Sequence, residues 1–341
     1  MYTRSIKVLI IDDSIFFRNV ILRGLEGEER IKVVGMAGDP FEARDKILEL
    51  EPDVLTLDIE MPQMDGIEFL QKLMPQYPLP TLVISCHGER MLKALEAGAV
   101  DFLRKPVRND KEIMKVFMQE LIVKVKIASM ANVSSYKSRY LPRMIENRNG
   151  NRKERIIVIG ASTGGTEAFL DIVRALPGNM PGIVVVQHMP EGFTAMYAGR
   201  LNELCRMEVK EAKSGDLILP GRILIAPGGC QLRMAKDDRG YITECYPGEP
   251  VNGHRPSVDV LFHSAAKLLG EDAIGVILTG MGYDGAKGLK AMKQAGAHTI
   301  GQDEETCVVY GMPKVAYDIG GVLEQLPVYE IAQKLYTIAH L

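Results

Sequence analysis

The segment IIVIGASTGGTEAF, residues 156–169, decides how the second half of the chain is read. Four branched apolar residues in a row, with no polar alternation, suit a strand buried on both faces. Small residues from Gly160 to Gly165 then break the run, and a helical pattern begins at Thr166. Strand, tight turn and helix in immediate succession are the unit of a parallel α/β sheet.

Working outward, the same alternation recurs. Residues 155–160, 182–188, 273–280 and 298–302 read as strands, and about 165–175, 192–204, 285–295 and 327–339 as helices. Residues 217–245, short apolar runs with Gly and Asp turns, predict an antiparallel hairpin region. Upstream, residues 129–153 are polar and basic with little apolar periodicity, which predicts a linker. Before it stand five strand-like runs, at 6–11, 32–37, 53–58, 80–85 and 100–105, interleaved with helical patterns near 14–26, 40–50, 64–74, 88–98 and 109–128. The expectation is therefore an α/β protein with three parts. A flavodoxin-like domain spans 1–128 with a five-stranded parallel sheet. A linker spans 129–153, and a doubly wound α/β hydrolase-type domain spans 154–341.

Composition agrees with two globular domains: 341 residues, 46% hydrophobic and 25% charged. A formal net charge of -3 gives no basic excess for nucleic acid or an anionic membrane. No apolar run approaches the roughly 18 residues that span a bilayer, and the N-terminus runs quickly into Asp12 and Asp13, unlike a signal peptide. The cysteine count is five, with no C-x-x-C pair, which argues against a disulfide framework or zinc knuckle and suits reduced thiols in a cytoplasmic protein.

Functional residues of parallel sheets gather at the carboxyl ends of strands. In the first block those ends supply Asp12 and Asp13, Asp58, Ser85 and Lys105. Carboxylates converging on one edge repel one another unless they surround a hard divalent cation, and Mg²⁺ suits one or two carboxylates plus a phosphate. An ammonium and a hydroxyl complete a phosphoryl pocket, with a carboxylate as the nucleophile. The motifs IDDS (11–14), LDIEMPQMDG (57–66) and LRKP (103–106) resemble the response-regulator receiver family. That resemblance implies Asp58 as phosphoacceptor and Asp12, Asp13 and Asp58 around Mg²⁺. It also implies Ser85 and Lys105 as responders to the phosphoryl group, with Phe102 at the switch-aromatic position; a plain core phenylalanine is the competing reading of Phe102. His87 reads as a solvated loop residue.

In the second block, Gly160-Ala161-Ser162-Thr163-Gly164 is a G-x-S-x-G between a strand and a helix, the context of a nucleophile elbow. A phosphate-binding glycine loop competes with it, and the missing lysine excludes a Walker loop. A serine nucleophile needs a base. Of six histidines, only His188 closes a strong parallel strand at the carboxyl edge; His254 sits in a Gly/Pro-rich loop and His263 in a helical pattern. A carboxylate at another strand end comes from LTGMGYDGA (278–286), as Asp284, where Gly280, Gly282 and Gly285 permit a loop whose N–H groups could line an oxyanion hole. The order Ser, His, Asp departs from the lipase and esterase order, which the chemistry tolerates. The same stretch is a literal G-x-G-x-x-G followed by Asp303, Glu304 and Glu305, a weak dinucleotide fingerprint that falls too late in the block.

With GASTGG (160–165), VVQHMP (185–190), RPSVDVLF (255–262) and LTGMGYDGA (278–286), nearly the whole chain, the linker aside, resembles the chemotaxis-type protein-glutamate methylesterase (CheB) family. The resemblance implies Ser162 as nucleophile, His188 as base and Asp284 as its orienter, with the Met281 N–H as an oxyanion donor and Thr163 and Gly164 beside the site. Arg255, Ser257 and Asp259 match a family segment near the site, with a structural role equally open. The implied reaction is hydrolysis of glutamate γ-methyl esters on the cytoplasmic helices of chemoreceptors, with glutamine deamidation by the same acyl route in some members. No cofactor is implied for that step. Phosphorylation of Asp58 by a CheA-type histidine kinase is implied to relieve a block of the cleft by the receiver. The implied location is the cytoplasm, at receptor clusters. Two rival readings stand beside it: a non-catalytic phospho-regulated binding module, and a dinucleotide-binding oxidoreductase.

Overall fold

The computed structural model describes residues 4–108, 110–133, 144–146 and 155–340. The chain forms two compact units, Met1–Arg139 and Tyr140–Leu341. Most of the linker expected at 129–153 lies outside the described residues. Of its described part, Ile145 is buried on the second unit, where its N–H donates to the Ala175 carbonyl at 3.0 Å.

In the first unit the order is β1 (Ile6–Ile11), α1 (Ile15–Glu26), β2 (Ile31–Ala37), α2 (Pro40–Leu50), β3 (Val54–Asp58), α3 (Gly66–Gln76), β4 (Thr81–Ser85), α4 (Gly88–Glu96), β5 (Asp101–Arg104) and α5 (Lys111–Ala128). The five strands form one parallel sheet in the order β2-β1-β3-β4-β5, as expected. Its inner strands β3 and β4 are buried along their whole length because helices cover both faces. Acceptor side chains start the helices: Ser14 caps α1, Asp39 caps α2, Asp65 caps α3 and Asp110 caps α5. Strand order reverses between β1 and β3, so a crevice opens at their carboxyl ends.

The second unit runs β6 (Ile156–Ala161), α6 (Gly165–Ala175), β7 (Ile183–Gln187), α7 (Phe193–Leu204), β8 (Glu208–Glu211), β9 (Arg222–Ile225), β10 (Gln231–Asp237), β11 (Gly240–Tyr246), α8 (Val258–Leu269), β12 (Ala273–Ile277), α9 (Ala286–Gln294), β13 (His298–Gln302), α10 (Met312–Asp318), β14 (Glu324–Leu326) and α11 (Val328–Ala339). Seven strands make a parallel sheet in the order β14-β13-β12-β6-β7-β9-β8. Among the described strands only β10 and β11 pair antiparallel, as a separate ribbon that Leu217 joins by an isolated antiparallel bridge to Ile242. The antiparallel region expected at 217–245 is thus too wide. Residues 222–225 (RILI) pair parallel with both β7 and β8 as a fully interior strand, and a four-residue apolar run carries no mark of its partners' direction. The short polar edge strands β8 and β14 have no apolar run to announce them.

Part of the core of this unit gathers on α8. Leu261, Phe262 and Ala265 of α8 meet Leu289 and Met292 of α9 and Val158, Val184 and Leu224 from the sheet. The chain leaves β6 to β7 on one side and returns to β12 on the other. The order therefore reverses at β6, and three strand ends converge there.

Candidate active site

Those ends bring together the three residues expected from the second block. Ala161 and Gln187 are aligned partners across β6 and β7, so Ser162 and His188 both follow aligned strand ends, and the His188 N–H donates to the Ala161 carbonyl at 3.0 Å. The Ser162 N–H donates to the Thr279 carbonyl beyond β12 at 3.0 Å. From the loop after β12, Asp284 Oδ2 accepts from His188 Nε2 at 2.8 Å.

A tight turn presents Ser162 half-buried at the start of α6. Its left-handed residue is Gly164, with φ +76°; Ser162 itself is not among the described residues with positive φ. The turn therefore takes its strain at a glycine, where a left-handed backbone is tolerated. Gly280 has a different reason to be glycine: a Cβ there would lie 2.6 Å from Ser162 Cβ. Gln187, buried beneath, donates through Nε2 to the carbonyls of both Ser162 (2.9 Å) and His188 (3.3 Å).

Asp284 is held by more than the histidine. Its carboxylate accepts from Ser257 Oγ (2.7 Å), Asn252 Nδ2 (2.7 Å) and the N–H groups of Val258 (2.7 Å) and Asp259 (3.3 Å). Those N–H groups open α8, so the anion sits on a helix N-terminus. Burial works against the charge, but the bonds from His188, Asn252 and Ser257 outweigh it and hold the Asp284 carboxyl well below the usual carboxylate range. An ionised carboxylate only accepts, so Nε2 of His188 carries the proton and Nδ1 is the basic nitrogen. Nδ1 is buried with no hydrogen-bond partner among the described residues.

Met281 is 39% exposed on the site rim, and its N–H makes no hydrogen bond among the described residues. Thr163 is buried, its carbonyl accepting from Thr279 Oγ1 at 3.0 Å. The glycine loop 280–285 turns Asp284 inward to His188, which leaves the dinucleotide reading without the open, anion-facing turn it needs.

The residues missed were Asn252 and His254. Residues 251–254 (VNGH) form a two-residue turn closed by both Val251 N–H to His254 carbonyl (3.0 Å) and the reverse bond (2.9 Å). Asn252 and Gly253 have φ of 53° and 82°, as a type I′ turn demands. This turn puts Asn252 between Asp284 and Asp259, to which it also donates at 2.8 Å, and lays the His254 ring on His188 with centroids 3.7 Å apart. Burial and the adjacent His188 push His254 down to about 4. The Asn-Gly pair was a visible hairpin signal. Ser257 and Asp259 acquire structural roles: one bonds Asp284, and the other binds Asn252 and the Gly288 N–H (2.7 Å). Arg255 is exposed and donates to the Gly248 carbonyl at 2.9 Å.

The first unit carries a second cluster. Asp12, Asp13 and Asp58 offer carboxylate oxygens within 4.8 Å of one another. Lys105 Nζ lies 2.7 Å from Asp12 and 2.5 Å from Asp58. Burial and the neighbouring Asp12 raise the Asp58 carboxyl against the pull of Lys105, while burial of Lys105 is outweighed by its two carboxylates, so its pKa also rises. Ser85 is buried at the end of β4, its Oγ accepting from the His87 N–H at 3.2 Å. Phe102 is buried in the core, with Lys124 Nζ 5.9 Å from its ring centroid. The exposed His87 pairs with Glu60 at 3.1 Å. No helix among the described residues is long and apolar enough to cross a membrane.

Comparison with known proteins gives these two clusters their family. Residues 157–335 match the CheB methylesterase family and residues 8–117 the response regulator receiver domain. A protein-glutamate methylesterase/protein-glutamine glutaminase of Syntrophotalea carbinolica is 51% identical over 345 residues, covering 98% of each chain. The Salmonella typhimurium protein of the same name is 45% identical over 335 residues, covering 97% of this chain and 96% of that one. The crystal structure of the Thermotoga maritima CheB methylesterase catalytic domain, 42% identical, superposes with a TM-score of 0.53 and covers 55% of this chain and 99% of that one. The chain belongs to the CheB methylesterase family, with a response regulator receiver domain at its N-terminus.

Proposed function

We propose that this chain hydrolyses γ-methyl esters of glutamate on chemoreceptors, and deamidates receptor glutamines, under control of phosphorylation at its receiver. The observation that carries the reading is the His188–Asp284 hydrogen bond beside Ser162 at the strand-order reversal. Relatives of nearly the same length and about half identical bear both activities in their names.

In this reading Ser162 Oγ attacks the ester carbonyl carbon while His188 Nδ1 takes its proton. The carbonyl oxygen becomes an oxyanion facing the Met281 N–H and the start of α6, with Thr163 and Gly164 shaping the turn. The proton then goes to the departing methoxide, and methanol leaves a glutamyl-serine ester. Water, deprotonated by His188, releases glutamate and restores Ser162. With a glutamine substrate the leaving group is ammonia. Asp284 stays ionised and holds the imidazole in one tautomer.

In the receiver, Asp58 accepts the phosphoryl group from a CheA-type histidine kinase. Asp12, Asp13 and Asp58 would hold Mg²⁺, which would supply charge neutralisation when bound. Ser85 and Lys105 engage the phosphoryl oxygens, with Phe102 as the buried aromatic that responds. The domain limits that follow are 1–128 and 154–341, and the site of action is the cytoplasmic face of receptor clusters.

The test is methanol release from methylated receptor membranes, with and without acetyl phosphate and Mg²⁺. Ser162→Ala is expected to lower the rate about 10⁴-fold, and Asp58→Asn to abolish stimulation by the phosphodonor. Near-normal release by Ser162→Ala defeats the triad assignment.

A further inference from the structure

The His188 and His254 rings lie 7° from parallel with centroids 3.7 Å apart. At van der Waals spacing this leaves little lateral offset. Two neutral aromatic rings prefer an offset or edge-to-face arrangement, and two cations would repel. A stacked pair gains further when one ring is cationic and its partner presents a neutral π face. The acylation step of the proposed reaction creates that state, since His188 becomes an imidazolium when it takes the Ser162 proton.

His254 suits the neutral partner. It is half-buried, and the titratable groups beside it are His188 and Asp284, the second of which is committed to five donors. Its placement does not depend on the ring. The N–H and carbonyl of His254 close the turn with Val251, and the same carbonyl accepts from Gln231 Nε2 at 3.0 Å.

We infer that His254 is a positioning residue for the base. Its neutral ring fixes the plane of His188, so that Nε2 meets Asp284 and Nδ1 stays free, and it stabilises the imidazolium more than the neutral imidazole. Such a contact strengthens in the transition state, so it acts on kcat rather than on substrate affinity. The inference rests on the esterase reading above.

The test measures kcat and KM for methanol release by the full-length, phosphodonor-activated protein carrying His254→Ala or His254→Phe. His254→Ala is expected to lower kcat about tenfold to thirtyfold, with KM changed less than about twofold. His254→Phe keeps a flat π face without a titratable group, and it is expected to restore kcat to within about threefold of wild type. An Ala variant as fast as wild type, or a Phe variant as slow as Ala, overturns the inference. A second readout compares ¹⁵N spectra: His188 should show one tautomer protonated at Nε2 in wild type and a mixed or broadened signal in His254→Ala, and an unchanged His188 signal in His254→Ala also overturns it. Ser162→Ala, measured alongside, reports on the esterase reading separately. If it releases methanol like wild type, the triad is wrong, whatever the His254 variants do.

Discussion

His188 donates from Nε2 to Asp284 Oδ2 at 2.8 Å, so the nitrogen left for proton transfer is Nδ1. The carboxylate that sets this tautomer is itself fixed by the first turn of α8 and by Ser257 and Asn252. Orientation of the base therefore depends on a helix in another part of the core.

This anchoring makes Asp284 a stability element in acid. Its folded pKa lies below its unfolded value of 3.8. The contribution is therefore complete above that value and is lost as pH falls below it. Circular dichroism of the wild type between about pH 2 and 6 should show acid destabilisation setting in near the ordinary carboxylate range. Asp284→Asn should have a shallower acid limb and lower stability at neutral pH, by about 1–3 kcal/mol, since α8 loses its anion. Equal acid limbs for the two proteins would count against the assignment.

The close approach of Gly280 to Ser162 makes Gly280→Ala a probe of nucleophile placement. The added methyl would stand 2.6 Å from Ser162 Cβ and 2.4 Å from Met312 Sδ. Met312 can shift, but Ser162 is fixed between strand ends. The expected result is a loss of about 1–3 kcal/mol of stability and a fall of about 100-fold in kcat. Thermal unfolding and methanol release check the two parts; an active, stable variant refutes the packing argument.

Asn252 combines a left-handed backbone with two side-chain bonds to buried carboxylates. Asn252→Gly keeps the turn and removes only the bonds, while Asn252→Ala removes both. Glycine should therefore be the milder change in stability, by about 1 kcal/mol. Both should lose about tenfold in kcat for want of the Asp284 donor. Alanine and glycine variants of equal stability would show that the turn is not strained.

In the receiver, the raised pKa of Asp58 reflects burial beside Asp12. A divalent cation among the three carboxylates would relieve both, and so would bind the folded state selectively. Mg²⁺ at about 100 times its dissociation constant is expected to add about 2.7 kcal/mol to the stability of that unit. Asp13→Asn should remove most of the gain. Differential scanning calorimetry with and without Mg²⁺ decides; an unchanged receiver transition in wild type would reject the cation site.

Much of this was open to reading from one dimension. Inner strands such as β6 and β7 are runs of branched apolar residues because helices cover both faces, and the carboxyl end of such a run is where a parallel sheet exposes its chemistry. Asp12, Asp58, Ser162 and His188 all stand at such ends, and the order of the runs was enough to find them. RILI at 222–225 shows the limit: its burial was legible, but whether it pairs parallel or antiparallel depends on partners distant in sequence.

The sequence by itself determined two α/β units, their strand-end residues and the family motifs, because periodicity and turn chemistry are local. Only the tertiary structure decided which histidine nitrogen faces Asp284, that α8 caps that carboxylate, and that the Asn252-Gly253 turn brings His254 onto His188. Those relations join residues up to 96 positions apart, and no local pattern encodes a ring plane or a hydrogen-bond direction across such a distance.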